Sequence, residues 1–210
     1  MNSTSLDWFA LLASMSALEV AAVAFGLLYL VLAIRQNILC WPAALIGVLL
    51  SLVLFWEARL YMEAALQIFY AAMAFYGWYQ WRHGRRGNAG RIDGDLPVSV
   101  WSVRQHVVAI AATLVLSGVI GWALTHTNAA FPYLDSFTSV AAIVTTYMVA
   151  KKILENWVYW FVIDSIGVYL YTARGLYLYA ALFVLYLVLV VLGFVRWQRD
   201  WREQAAQAAA

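Results

Sequence analysis

The amino-acid sequence predicts an all-α integral membrane protein with seven transmembrane helices, arranged as two parallel three-helix repeats joined by a fourth helix. Three observations predict this fold: an excess of apolar residues, seven apolar runs of membrane-spanning length, and a similarity between the two halves of the chain. Of the 210 residues, 65% are hydrophobic and only 11% are charged. A soluble domain carries about 25% charged residues, so lipid must be the solvent for most of this surface.

Seven apolar runs alternate with short polar segments. A helix needs roughly 20 apolar residues to cross about 30 Å of hydrocarbon, and such runs satisfy their backbone hydrogen bonds as helices. The predicted spans are 15–34, 38–56, 61–81, 105–125, 136–150, 155–173 and 175–196. The fifth span is short, and the sixth contains an acid. Residues 1–7 lack the basic segment of a cleavable signal peptide, so we expect the first span to be retained.

The basic residues orient the spans. When the loop 82–104 is placed in the cytoplasm, alternation puts only Arg59 and Arg174 outside. The eleven on the inside are Arg35, Arg82, Arg85, Arg86, Arg91, Arg104, Lys151, Lys152, Arg196, Arg199 and Arg202. Because Lys and Arg are enriched in cytoplasmic loops, we expect a multi-pass protein of a bacterial inner membrane with its N-terminus outside and its C-terminus in the cytoplasm.

The two ends of the chain resemble each other at a spacing of 116 residues. The run 60–66 (LYMEAAL) matches 176–182 (LYLYAAL), and Tyr70, Gly77 and Trp81 match Tyr186, Gly193 and Trp197. With one gap, Ala58-Arg59 aligns with Ala173-Arg174, and with a second gap Asn37…Trp41 aligns with Asn156…Trp160. The repeat therefore maps spans one to three onto spans five to seven.

Three spans reverse the direction of the chain, so a fourth is needed before the repeat can begin again in parallel. SWEET transporters use this arrangement, and repeat-built transporters place the substrate near the midplane between the repeats. The predicted units are a first repeat over 15–81, a cytoplasmic loop and linking helix over 82–135, a second repeat over 136–197, and a cytoplasmic tail over 198–210.

Three acids, Glu19, Glu63 and Asp164, lie inside predicted spans with no Lys or Arg at equal depth. Charged side chains at membrane depth are costly and usually face a cavity. Helical spacing places aromatic residues on the same faces as two of these acids. The faces contain Trp157, Trp160, Asp164 and Tyr171 on span six, and Glu63, Gln67, Tyr70, Ala74, Gly77 and Trp81 on span three.

Aromatic rings beside an unpaired carboxylate favour a flat cationic ligand. Each ring face attracts a cation by roughly 0.5–2 kcal/mol, and a carboxylate adds an attraction that a low dielectric strengthens. Pyridinium and thiazolium compounds have this character.

Structural roles compete with ligand binding at each of these positions. Trp at span ends commonly forms an interfacial belt, which we expect for Trp81, Trp101, Trp197 and Trp201. The alternatives are a protonated structural role or proton transfer for Asp164, outward snorkelling for Glu63, helix bridging for Gln67, and a structural role for Glu19.

Two motifs resemble signatures of the PnuC vitamin transporters. Residues 151–160 (KKILENWVYW), followed by Asp164 and Tyr171, resemble the family pattern Lys-Lys…Glu-Asn-Trp-x-x-Trp-x-x-x-Asp. Gln67-x-x-Tyr70, together with 76–81 (YGWYQW), resembles the family's third-helix signature. The resemblance extends over roughly residues 20–200.

This resemblance implies a SWEET-like 3+1+3 fold, a homotrimer, and facilitated diffusion of nicotinamide riboside, which a separate cytoplasmic kinase then traps. The substrate-binding residues that it implies are Gln67, Trp157, Trp160 and Asp164, with Asn156, Tyr70 and Tyr147 behind them. Relatives carry thiamine or riboflavin. The segment 144–147 (VTTY) stands where many riboside carriers have a Gln, so nicotinamide riboside and thiamine both stay open, whereas a cation site disfavours neutral riboflavin.

Two other classes of function fit the residues less well. An enzyme of acyl transfer or proteolysis needs a nucleophile with a base in reach, but His83, His106 and His126 lie at span ends or in loops. No GxxxxGK[ST] phosphate loop occurs. A membrane sensor or scaffold is the second rival, and it would show no flux. Cys40 is the one cysteine, which excludes a disulfide and a cysteine metal site, and no cofactor is predicted.

Overall fold

Seven helices form the structure, a computed structural model that describes residues 15–59, 61–84, 96–127 and 130–209. They are α1 (Ala17–Ile34), α2 (Cys40–Glu57), α3 (Tyr61–His83), α4 (Val103–Leu124), α5 (Pro132–Ala150), α6 (Asn156–Ala173) and α7 (Tyr177–Ala209). All seven predicted helices are therefore confirmed. Arg85, Arg86 and Arg91 of the predicted cytoplasmic loop lie outside the described residues.

Two helices are substantially longer than predicted. The fifth begins at Pro132, whose fixed φ suits the first helical position, and this brings α5 to 19 residues. The last helix continues without a break to Ala209, so most of the predicted tail 198–210 is helical. At 1.5 Å per residue, the 33 residues of α7 are about 50 Å long, which exceeds the roughly 30 Å of hydrocarbon.

The helices differ in how apolar they are. Among the described residues, four helices are long and apolar enough to span a membrane by length and composition alone: Ala17–Ile34, Cys40–Glu57, Val103–Leu124 and Tyr177–Gln207. The other three, α3, α5 and α6, contain the polar residues that lower their hydropathy. All seven predicted substrate-binding residues are on these three helices.

The structure repeats at an offset of 116 residues without any gap. Helix α2 (Cys40–Glu57) corresponds residue for residue to α6 (Asn156–Ala173). The left-handed backbone of the turns repeats as well: Gln36 (φ 52°) corresponds to Lys152 (φ 50°), and Arg59 (φ 60°) to Gly175 (φ 73°). The two gaps placed from the sequence are therefore wrong. Arg59 aligns with Gly175, and Trp41 aligns with Trp157, because the turns have the same backbone shape although their side chains differ.

Four tryptophans pack together where α1 ends and α2 begins, an end of the bundle that we call the basic end because it carries Arg35, Lys151, Lys152 and Arg196. The members of this tryptophan cluster are Trp41, Trp81, Trp157 and Trp197. Trp41 meets Trp81 edge to face with 5.4 Å between ring centroids, and their repeat counterparts Trp157 and Trp197 do the same at 5.3 Å. The rings of Trp81 and Trp197, whose centroids are 6.2 Å apart, connect the two pairs.

The cluster is held by two symmetry-related hydrogen bonds that cross between the repeats. The Trp81 indole N–H donates to the Val149 carbonyl of α5, and the Trp197 indole N–H donates to the Ala33 carbonyl of α1, each at 3.1 Å. Trp81 is 2% exposed and Trp197 is fully buried. The expectation that both belong to an interfacial belt is therefore wrong, because the indoles find their polar partners inside the protein.

Glycines opposite the cluster allow the rings to approach the helices. A Cβ placed on Gly77 would lie 2.2 Å from the Trp41 ring, and one on Gly193 would lie 2.5 Å from the Trp157 ring. Real Cβ atoms do not come this close to a ring, so only glycine fits at either position. The paired Gly and Trp matches seen in the sequence thus reflect one packing arrangement that is used twice.

The segment before α4 ties the linking helix to the second repeat. The Ser99 N–H donates to the Lys152 carbonyl at 2.9 Å, and the Leu154 N–H donates to the Ser99 carbonyl at 2.8 Å, which forms an isolated parallel β-bridge. Glu155 accepts from the Trp101 N–H at 3.3 Å and lies 3.6 Å from His106. The Lys-Lys…Glu part of the family motif therefore builds this junction.

Replacing Gly77 with alanine should destabilise the protein, because the added methyl group would overlap the Trp41 ring. Overpacking of this kind costs roughly 1–3 kcal/mol. Gly118→Ala on α4 is the matched control, since a Cβ there meets nothing within 4 Å. Thermal unfolding in detergent measures both variants, and equal melting temperatures would contradict the packing described here.

Candidate functional site

A cavity of about 510 Å³ lies among the helices of both repeats. Aromatic side chains form much of its wall: Tyr29, Trp41, Phe55, Tyr70, Trp160, Tyr179 and Tyr186. Its volume is within the roughly 300–1,000 Å³ typical of small-molecule sites, which are concave, mostly apolar, and carry a few polar groups. The cavity can therefore enclose a molecule the size of a vitamin.

The cavity reaches from the tryptophan cluster to the opposite end of the bundle, which we call the mouth end. At the basic end its floor includes Trp41, which is almost fully buried. At the mouth end it is lined by Met15 and Glu19 at the start of α1, by Ala58 after α2, and by Tyr179 on α7. The core around the tryptophan cluster closes the basic end.

Both repeats contribute to the wall, but unequally. Tyr70 on α3 and Tyr186 on α7 are 116 residues apart, and both line the cavity. Gly47 on α2 packs next to Gly26 on α1, where a Cβ on Gly47 would lie in van der Waals contact, 3.6 Å from the Gly26 nitrogen. The counterparts of these glycines in the second repeat are Ala142 and Ile163, and α5 packs along α6 much less extensively than α1 along α2.

Two of the seven residues predicted from sequence line the cavity. Tyr70 and Trp160 both do so, and they pack against the small buried cluster of Ala141, Ala142 and Ile163. The structure thus brings together one predicted residue from α3 and one from α6, and both contact residues of α5.

Asn156 and Trp157 lie below the cavity, in the packed core at the basic end. They are 0% and 2% exposed, and the Asn156 amide donates to the Ile153 carbonyl at 2.6 Å. Neither the Asn156 Oδ1 nor the Trp157 Nε1 has a hydrogen-bond partner among the described residues. Their contacts give both residues a role in packing, and substrate binding by either stays a prediction.

The remaining three predicted residues do not line the cavity. Gln67 is half-buried on α3. Tyr147 is 42% exposed and stacks on Tyr76, with 6.2 Å between ring centroids. Asp164 is buried on α6, and it lies within electrostatic range of the cavity-lining Tyr186. The Asp164 carboxylate can therefore affect the electrostatic potential inside the cavity without lining it.

Several lining residues were missed from the sequence, although the repeat contained the signal for two of them. Tyr186 matches Tyr70 at the 116-residue spacing, and Trp41 matches Trp157 once the gaps are removed. Tyr29 has no such signal, because its counterpart is Thr145. That residue is buried, and its hydroxyl donates to the Ala141 carbonyl at 2.7 Å.

Seven membrane helices in a 3+1+3 arrangement, with an aromatic cavity between the repeats, define a multi-pass membrane transporter. Residues 16–199 match the model of the nicotinamide mononucleotide transporter family. The chain belongs to this family.

Relatives with known functions agree with this assignment. The chain is 31% identical over 180 residues to the riboflavin/roseoflavin transporter RibM of Streptomyces davaonensis, covering 84% of this chain and 80% of RibM. It is 26% identical over 215 residues to the nicotinamide riboside transporter PnuC of Escherichia coli K12, covering 92% of this chain and 90% of that transporter.

A crystal structure of the vitamin B3 transporter PnuC is also similar. It superposes with a TM-score of 0.70 at 25% sequence identity, over 89% of this chain and 82% of that one.

Substitutions of Trp160 and Trp157 should have different effects, because Trp160 lines the cavity and Trp157 packs in the core. Trp160→Ala should weaken vitamin binding by roughly tenfold, as expected for the loss of one cation–ring contact of about 1 kcal/mol or more, and should lower the melting temperature less than Trp157→Ala does. Trp157→Ala should lower the free energy of unfolding by roughly 3–5 kcal/mol through loss of core packing, and the melting temperature should fall accordingly. Calorimetric titration and thermal unfolding separate the two effects, and the opposite pattern would contradict the assignment.

Proposed function

We propose that this protein carries nicotinamide riboside across a bacterial inner membrane by facilitated diffusion. The cavity carries the proposal: an aromatic chamber between two repeats, in a chain of a vitamin-transporter family. Relatives named as nicotinamide riboside transporters span nearly the whole chain. Transport of this kind needs no chemical step by the protein. A separate cytoplasmic kinase would maintain the gradient of nicotinamide riboside by trapping the molecules that enter.

The excess of Lys and Arg at the basic end supports a cytoplasmic location for that end. In this orientation the mouth end faces outward, and the cavity admits cargo from outside while the tryptophan cluster closes the cytoplasmic side. Release inside then requires the two repeats to move relative to each other until the cluster opens. The crosswise hydrogen bonds are the contacts that this movement would break.

The pyridinium ring of nicotinamide riboside fits the character of the wall. A flat cation placed against Tyr70, Tyr186 and Trp160 gains cation–ring attraction in a site with little water. Asp164, buried behind this wall, adds a further attraction for positive charge.

Riboflavin is the second candidate substrate. It is supported by the similarity to RibM, whose identity to this chain is higher than that of the riboside transporter of Escherichia coli. A neutral isoalloxazine would stack on the same rings but would gain nothing from Asp164. Because the cavity is large enough for either type of vitamin, its volume does not discriminate between them.

Purified protein in liposomes should equilibrate labelled nicotinamide riboside down its gradient and should not concentrate it. The final internal concentration should be the same with or without a proton or sodium gradient. Accumulation above the external concentration would contradict facilitated diffusion, and complete absence of flux would favour a sensor or scaffold.

Calorimetric titration with nicotinamide riboside, thiamine and riboflavin should rank nicotinamide riboside first. Combining Trp160→Ala with Asp164→Asn should lower its affinity by more than tenfold, because the ring contact and the buried charge are lost together. Unchanged binding in the double variant would refute the site, and tighter binding of riboflavin by the native protein would favour the second candidate.

A further inference from the structure

Glu19 and Asp135 are repeat counterparts, 116 residues apart at the mouth end, but their surroundings differ. The Asp135 carboxylate forms an ion pair with Arg174 at 2.7 Å, between two partly exposed side chains. Arg174 also lies over the Phe131 ring at 5.5 Å. Glu19 lines the cavity and is part of no ion pair among the described residues. Of these two equivalent carboxylates, one is therefore neutralised and the other faces the path of the cargo.

The position of Glu19 is fixed by the start of α1. The Ser16 N–H donates to the Glu19 carboxylate at 2.6 Å, and the Glu19 N–H donates to the Ser16 hydroxyl at 3.2 Å, which forms a reciprocal capping box. These bonds hold the carboxylate at the cavity entrance and restrict its movement into the solvent.

Glu19 is the one charged side chain among the described residues that line the cavity. The surrounding mouth end is acidic as well: its described charged residues are Glu19, Glu57, Glu63 and Asp135 against Arg59 and Arg174. A concave entrance of one sign attracts ligands of the opposite sign and raises their rate of capture. The sequence alone assigns Glu19 a structural role, whereas the cavity gives it a second one.

We propose that Glu19 selects for positively charged cargo at the entrance, so that aromatic cations are captured faster than neutral molecules of the same shape. This inference rests on the proposed function, because it concerns the same cavity and the same cargo. It adds the residue that discriminates by charge, and it places the discrimination at the entrance, separate from the aromatic wall.

The test compares initial uptake of nicotinamide riboside with that of its reduced dihydro form, which is neutral and nearly the same shape. Glu19→Gln removes the charge but keeps a residue that can form the capping box. At low ionic strength this variant should take up the cation about threefold to tenfold more slowly, in keeping with the loss of one steering charge. Uptake of the neutral form should not change. Salt should slow cation uptake by the native protein towards the rate of the variant.

The control is Glu57→Gln, which removes the same charge from an exposed residue at the same end of the bundle but outside the cavity lining. Its ratio of cation to neutral uptake should fall much less than that of Glu19→Gln, because Glu57 contributes to the charge of the mouth end but does not line the cavity. An equal fall in both variants would overturn the special role of Glu19. If Glu19→Gln slows both forms equally, or leaves the ratio unchanged, charge selection by Glu19 is overturned while the proposed function stands. A native protein that carries riboflavin and no cation overturns both.

Discussion

The two crosswise hydrogen bonds of the tryptophan cluster are the constraint on which the rest of the bundle depends. The last carbonyls of a helix lack partners within that helix, and in this protein the carbonyls at the ends of α1 and α5 accept from indoles of the opposite repeat. A buried indole N–H without a partner is costly. Each repeat therefore supplies the acceptor that a buried indole of the other repeat needs, and these two bonds tie the repeats together at the basic end.

The cavity exists because the two repeats are not identical. In the first repeat α1 packs extensively along α2, with Gly26 and Gly47 at the contact, whereas α5 packs along α6 much less extensively. Perfect symmetry would have produced either two equal crevices or a closed bundle. One asymmetric chamber suits a carrier for a single molecule.

Helix number, helix direction and the repeat could be predicted because they depend on apolar runs and on residue types spaced along one chain. The wall of the cavity was only partly predictable. Tyr70 and Trp160 were found, because aromatic residues near an acid on one helix face are visible in the sequence. Asn156 and Trp157 share a motif with Trp160, but one helical turn moves them from the cavity into the core. Tyr29 depends on the packing of α1 against α2 and α7, which no local pattern encodes.

The unbroken helix α7 has a mechanical consequence. It carries Tyr186 in the cavity wall and Trp197 in the cluster, and it then continues to Ala209, with the Gln36 side chain donating to Asp200 at 2.7 Å beyond the cluster. A rod of this length turns a small tilt at the substrate into a larger displacement at its tip. The end of α7 beyond the cluster therefore moves further than the cavity wall when this helix tilts.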